Sequence, residues 1–157
     1  MFGIGGYNTD NHLEPVKWLA MLDQTTTNYK FSLSGISMNN HALQGSTKWR
    51  IGFVDSGTTF SYLPKDLWDS LVFHFNDFCE KATLLNDQKY CQGGRFLTKS
   101  DGYTVNCFEF NETRFGNNTK EFFLGYPIIN FHTQAVDGTI QKIQWFPSEY
   151  LYKEKDG

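Results

Sequence analysis

Residues 51–64 read IGFVDSGTTFSYLP, and Asp55 is the residue in them that could do chemistry. It follows Ile51, Phe53 and Val54 and precedes Ser56, Gly57, Thr58 and Thr59. This order predicts a short buried strand that ends on a carboxylate, with Gly57 allowing a tight bend. A carboxylate in such a place is costly unless it accepts hydrogen bonds. Backbone N–H groups of the turn and the Thr58 hydroxyl are the nearest donors. They favour the ionised form, whereas burial and any second carboxylate oppose it. The chemistry this suits is acid–base work by a carboxyl group whose proton is controlled by its surroundings. Asp-Ser-Gly alone is a common turn composition. The apolar run before it and the Thr-Thr exit set this copy apart from a surface turn.

The elements that must hold Asp55 are mostly short strands. In NYKFSLSGISMNN, Tyr29, Phe31 and Leu33 alternate with Lys30, Ser32 and Ser34, and at Gly35 the parity changes to Ile36 and Met38. A glycine at a parity change predicts a β-bulge or sharp bend, and Asn39-Asn40 predicts a turn. PIINFHTQAVDGTIQKIQWF predicts a hairpin, with Asp137-Gly138 as a two-residue turn. After Pro64, the spacing of Leu67, Trp68, Leu71, Val72, Phe75, Phe78 and Cys79 predicts one amphipathic helix whose apolar stripe packs into the core. Residues 80–102 are polar and turn-rich. The fold class expected is mainly β with this single helix.

The bulk composition sets bounds. The 157 residues suffice for one domain with a core. Aromatics make up 17%, which argues against disorder. The net charge of −3 comes without basic or acidic runs, so neither nucleic acid nor an anionic membrane is indicated as a partner. No apolar stretch approaches the ~18 residues of a membrane-spanning helix. MFGIGGYNTD lacks the basic start and apolar core of a secretory signal, so Met1 is expected to lie inside a longer natural protein. GIGGYN lacks the rest of a phosphate-binding fingerprint and reads as a turn. His12, His41, His74 and His132 show no metal-ligand spacing, and neither a metal nor a cofactor is expected. Three cysteines, Cys79, Cys91 and Cys107, leave one over after any single pairing. Asn-x-Thr acceptors at Asn111 and Asn117 cluster in a polar loop, which favours a secretory compartment where disulfides also form.

VDSGTTFSYLP resembles the second active-site motif of the pepsin-like aspartic proteases: two apolar residues, Asp, Ser or Thr, Gly, Thr, then Ser or Thr, with a Pro-led helix soon after. FGIGGYN is similar to the entry to that family's C-terminal lobe. NYKFSLSGISMNN resembles a strand of the lobe, and YPIINFHTQAVDGTIQKIQWFPSEYL its late hairpin. The resemblance runs over nearly the whole chain and is least specific over residues 80–126. It implies hydrolysis of polypeptides by two aspartates that share a proton and activate a water, in the secretory pathway, a lysosome- or vacuole-like compartment, or outside the cell. Two carboxylates about 3 Å apart cannot both ionise easily, so one keeps a proton while the other acts as base. By the same resemblance Asp55 is one member of the dyad. Ser56 braces the two active-site loops, Gly57 brings the backbone close to carboxylate and substrate, Thr58 bonds the aspartate, and Thr59 contacts the substrate.

The chain has one such motif. Asp101-Gly102, Asp137-Gly138 and Asp156-Gly157 lack the apolar strand and the Thr-rich exit. Residues 1–157 are therefore expected to be a partial C-terminal lobe, with the N-terminal lobe and a closing C-terminal strand outside the chain and activity absent from this piece alone. The family's habits imply a Cys79–Cys91 disulfide, with Cys107 reserved for a cysteine beyond Gly157. Two rival readings are a pepsin-like module that has lost catalysis and binds protein or carbohydrate, and a single-motif homodimer of the retroviral kind.

Overall fold

A computed structural model of the chain describes residues 17–22, 29–55, 57, 61–81, 91, 93, 95–100, 103–116 and 118–151. Within them the strands are β1 (Tyr29–Met38), β2 (His41–Ala42), β3 (Ile51–Val54), β4 (Arg95–Ser100), β5 (Tyr103–Phe108), β6 (Ile129–Gln134) and β7 (Ile140–Trp145). The helices are α1 (Lys65–Lys81), α2 (Glu112–Phe115), α3 (Thr119–Leu124) and α4 (Pro147–Tyr150). This is a strand-rich chain with one long helix after the Asp55 loop, in keeping with a partial pepsin-like lobe. The three shorter helices add to the single one expected. β1 is the organising strand: β2, β3 and β6 each pair antiparallel with it, and β7 lies outside β6.

The parity change at Gly35 is a bulge. The β1–β6 register runs from Leu33 opposite Thr133 to Gly35 opposite His132, then Ile36 opposite Phe131 and Met38 opposite Ile129. Side chains alternate with period 2, so an unbroken strand would put Leu33 and Ile36 on opposite faces. One extra residue restores the match. Leu33, Ile36 and Met38 then share one core with Leu43, Ile129, Leu67 and Leu71. The turn that follows has φ 45° at Asn39 and 69° at Asn40, the pair of positive values that a type I′ hairpin needs. Asn39 is also locked across the sheet: its N–H donates to the Ile128 carbonyl at 2.9 Å, and its Oδ1 accepts from the Ile128 N–H at 2.9 Å.

The late hairpin forms, but its loop differs from the two-residue turn expected at Asp137-Gly138. Ala135 N–H donates to the Thr139 carbonyl at 2.8 Å, leaving a three-residue loop, Val136–Gly138. A two-residue I′ turn needs positive φ at both central positions. Here only Gly138 has it, at 85°, and Asp137 instead uses its side chain. Asp137 Oδ1 accepts from the Thr139 hydroxyl at 2.6 Å and the Thr139 N–H at 2.9 Å. The Thr139 hydroxyl, then its N–H, hold the Asp137 carboxyl below its ordinary range. A carboxyl with a lowered folded-state pKa stabilises above the ordinary Asp range, and that contribution fades as pH falls through the lowered value. The clasp on this turn therefore persists into mildly acidic solution.

Helix α1 starts where Pro64 predicts, with Trp68 N–H donating to the Pro64 carbonyl at 2.8 Å. Asp66 in the first turn and Lys81 in the last suit the helix dipole. Leu67 and Leu71 are buried against the sheet, Phe75 touches both cores, and Phe78 and Cys79 join the second. Trp68, expected in the same stripe, sits at its rim and is partly exposed. The second core is aromatic: Cys91, Phe115, Phe122 and Tyr126 are buried, with Phe75, Phe108, Phe110 and Phe123 packed around them. Its rings meet mainly edge to face or tilted, as in Phe110–Phe122 and Phe108–Tyr126, each with centroids 5.1 Å apart. Burial pushes the Tyr126 phenol up, and burial followed by the neighbouring Tyr126 does the same to Tyr150. The Tyr150 hydroxyl donates to the Pro127 carbonyl at 2.5 Å, tying α4 to the strand entry.

β4 and β5 pair only with each other among the described residues, in register from Arg95 opposite Phe108 to Ser100 opposite Tyr103. The stretch read as polar and turn-rich over residues 80–102 thus contains a strand.

Cys79, at the end of α1, pairs with Cys91 across a Cα separation of 5.3 Å, the pairing the family resemblance implied. The bridge closes a loop of 12 residues in sequence separation. Restricting the unfolded chain over a loop of that size contributes about 3 kcal/mol. Replacing both cysteines with alanine is expected to lower the free energy of urea unfolding by about 3 kcal/mol, with the midpoint falling in proportion. A midpoint unchanged between the two chains would show that the bridge does not stabilise the second core.

Candidate active site

Asp55 is positioned by the pairing of β1 with β3. Tyr29 lies opposite Val54, Lys30 opposite Phe53, Phe31 opposite Gly52 and Ser32 opposite Ile51, so β3 delivers Asp55 at the end of a four-residue ladder. Gly52 is the close-approach point. A Cβ there would come within 2.5 Å of the Phe31 ring, so the ring can lie over the strand only because position 52 has no side chain. The ladder continues past the strand, with Leu33 N–H donating to the Arg50 carbonyl at 2.8 Å.

Beyond Val54 the chain turns on the aspartate itself. Gly57 N–H donates to Asp55 Oδ1 at 2.9 Å, an Asx-type turn in which the carboxylate receives a backbone donor two residues on. A Cβ at position 57 would sit 3.3 Å from that oxygen, which is why glycine suits the position. The expected backbone donor to Asp55 is therefore present. Ser56, Thr58 and Thr59 lie outside the described residues, as do FGIGGYN, Asp101-Gly102, Asn117, Asp156-Gly157 and His12.

The environment of Asp55 corrects one expectation. β3 is a strand, but it is not buried: Ile51 is 62% exposed, Phe53 66% and Val54 60%. Asp55 is exposed too. The register accounts for Ile51 and Phe53. Ile51 and Phe53 stand opposite Ser32 and Lys30, the β1 residues that alternate with Phe31 and Leu33 of the core. Among the described residues β3 pairs with β1 alone. Tyr29, opposite Val54, and Tyr62 are exposed as well.

Cys107 lies on β5 opposite Phe96, half-buried and outside the disulfide. Asn111 is exposed, and its Oδ1 accepts from the Arg114 N–H at 2.9 Å as the N-cap of α2. Among the described residues the candidate site is strand β3, the turn at Gly57 and the Asp55 carboxylate. Sharing a proton across a bound water needs a second carboxylate about 3 Å from the Asp55 carboxylate.

A family model described as eukaryotic aspartyl protease matches residues 1–137, a span that includes β1, β3, Asp55 and α1. The chain belongs to the eukaryotic aspartyl protease family. No curated protein and no solved structure matches it. Membership carries peptidase chemistry at the level of the family, a hydrolase acting on peptides. It also gives the Asp55 turn its context: the matched span takes in both the strand that presents the carboxylate and the helix that closes the loop behind it.

What the sequence reading missed is the β4–β5 hairpin and the aromatic core beneath it. A signal was available: RFLTKS and YTVNCF flank Asp101-Gly102, a strand–turn–strand pattern.

Proposed function

We propose that this chain is one lobe of a pepsin-like aspartic endopeptidase and supplies one aspartate, Asp55, of a two-aspartate dyad that hydrolyses peptide bonds. The observation that carries the reading is the Asp55 turn: an Asp-Ser-Gly-Thr-Thr sequence at the end of a paired strand, with Gly57 N–H already on the carboxylate. The exposed Ile51, Phe53 and Val54 of the strand that leads into it support a site completed by a second lobe, because apolar side chains left in water favour being covered. In the complete site one aspartate keeps a proton and the other takes one from water. The water attacks the scissile carbonyl, and the protonated carboxyl hydrogen-bonds the developing oxyanion. Ser56 and Thr58 are assigned to bracing the carboxylates, and Gly57 and Thr59 to the substrate backbone. The chain by itself, with a single Asp-Ser-Gly-Thr motif, is expected to have little or no such activity. The disulfide and the two Asn-x-Thr acceptors support a secretory, lysosome-like or extracellular compartment.

The complete protein is expected to cleave an unfolded polypeptide in acidic solution and to be blocked by a statine-type mimic of the tetrahedral intermediate. Transition-state mimics bind about 10²-fold or more above substrate when the enzyme is built for that geometry. Cleavage unaffected by the mimic, or no cleavage by a protein that carries a second Asp-Thr/Ser-Gly motif, would count against the dyad.

A further inference from the structure

We infer that Asn111 is an N-glycan acceptor whose modification leaves the cap of helix α2 intact. The tripeptide Asn111-Glu112-Thr113 is a complete acceptor sequence, and all three residues are exposed. The geometry divides the work of the Asn111 side chain. Its Oδ1 accepts from the Arg114 N–H at 2.9 Å, while its Nδ2 makes no hydrogen bond among the described residues. The backbone at Asn111 is extended, with φ −84° and ψ 99°. The amide nitrogen is thus the part of the side chain the fold leaves available, and the carbonyl oxygen is the part it uses. Arg114, whose N–H the cap engages, holds its guanidinium 5.1 Å above the Phe115 ring at the rim of the aromatic core. A glycan here would grow away from a fixed anchor.

The reaction balances as a glycosyl transfer. Asn111 Nδ2 attacks the anomeric carbon of an oligosaccharide carried on a polyisoprenyl diphosphate, and the bond from that carbon to the diphosphate oxygen breaks. A carbon–nitrogen bond forms, Nδ2 gives up one proton, and the lipid diphosphate leaves. Oδ1 takes no part in the new bond and keeps its hydrogen bond to Arg114. The inference rests on the secretory placement proposed above and is independent of any role for Asp55. The Cys79–Cys91 disulfide is a separate sign of the same oxidising compartment.

The test is translation of the full chain, preceded by a cleavable signal sequence, into microsomes, followed by tryptic mapping. Trypsin separates the two acceptors: Asn111 falls in Ser100–Arg114 and Asn117 in Phe115–Lys120. The expected result is a glycan on Ser100–Arg114, released by an amidase that converts the asparagine to aspartate and lost in Thr113→Ala. Asn111→Asp should also lose it while keeping the cap and an unchanged urea midpoint, since aspartate caps as well as asparagine. An unmodified Ser100–Arg114 peptide from chains whose Cys79–Cys91 bridge has formed would overturn the inference, as would a glycan confined to Phe115–Lys120. The bridge shows that those chains reached the lumen, so failure of the acceptor is separable from failure of the secretory placement.

Discussion

Asp55→Asn in the complete protein is expected to lower kcat/KM for a peptide substrate in acidic solution by about 10³-fold, within the range lost when a positioned acid–base group is removed. The amide is nearly isosteric, and its Oδ1 can still accept the Gly57 N–H that Asp55 accepts at 2.9 Å. What it cannot do is exchange a proton with a partner carboxylate or take one from water. Two carboxylates that share a proton titrate as a pair, so the parent enzyme should show an activity profile with two limbs in the acidic range. The variant should lose the limb that depends on the shared proton, together with most of its rate. In this chain Asp55 is exposed at a turn, so the change should leave the chain's own stability within about 0.5 kcal/mol of the parent, as for surface substitutions that keep their hydrogen bonds. The measurement is kcat/KM against pH for parent and variant, with a urea midpoint on each. Full activity in Asp55→Asn would end the proposal. A large loss of rate accompanied by a large loss of stability would instead place Asp55 in the fold and leave the chemistry to other residues.

How far the sequence led differs from element to element. Local geometry was readable where backbone rules are strict. The Gly35 bulge follows from a parity change that no regular strand can absorb, and the Asn39-Asn40 turn from two residues that tolerate positive φ. The Gly57 donor to Asp55 follows from the same kind of reasoning, since an aspartate two residues before a glycine tends to bond back to the backbone. Burial was less readable. Ile51, Phe53 and Val54 read as a short buried strand. Alternation reports what a strand would tolerate, whereas exposure depends on which surfaces reach it, and β3 pairs only with β1 among the described residues. The aromatic core was missed for a different reason. Phe110, Phe115, Phe122 and Tyr126 come from helices of four and six residues and the loops between them, too short to show a 3.6-residue period. The Asp137 turn shows a third limit: composition marked the turn, but the Thr139 bonds to the aspartate decide its length.

The largest effect on stability is expected at Leu67, two residues into the helix that closes the Asp55 loop. It is 2% exposed and shares the first core with Ile36 and Met38 of β1, Ile129 of β6 and Leu71 one turn on. Leu67→Ala removes buried methyl groups and leaves a cavity between a strand and a helix, a site with limited room to collapse. The cost is expected to be about 2–5 kcal/mol. Against the about 5–15 kcal/mol that holds a typical domain together, this is a large fraction of the total. Trp68, the next residue, provides the contrast. It has the larger side chain, but 39% of it is exposed at the rim of the stripe, so Trp68→Ala should cost less than Leu67→Ala. Urea midpoints at constant slope would measure both, and a larger loss at Trp68 would mean that α1 turns a different face to the sheet. The consequence reaches the Asp55 turn. Leu63, on the chain that leads from that turn into α1, packs against the same core, so the cluster that holds Leu67 also fixes the far end of the Asp55 loop. In the complete protein Leu67→Ala should therefore reduce activity through the folded fraction and recover it as temperature is lowered toward maximum stability, while Asp55→Asn should stay inactive at every temperature.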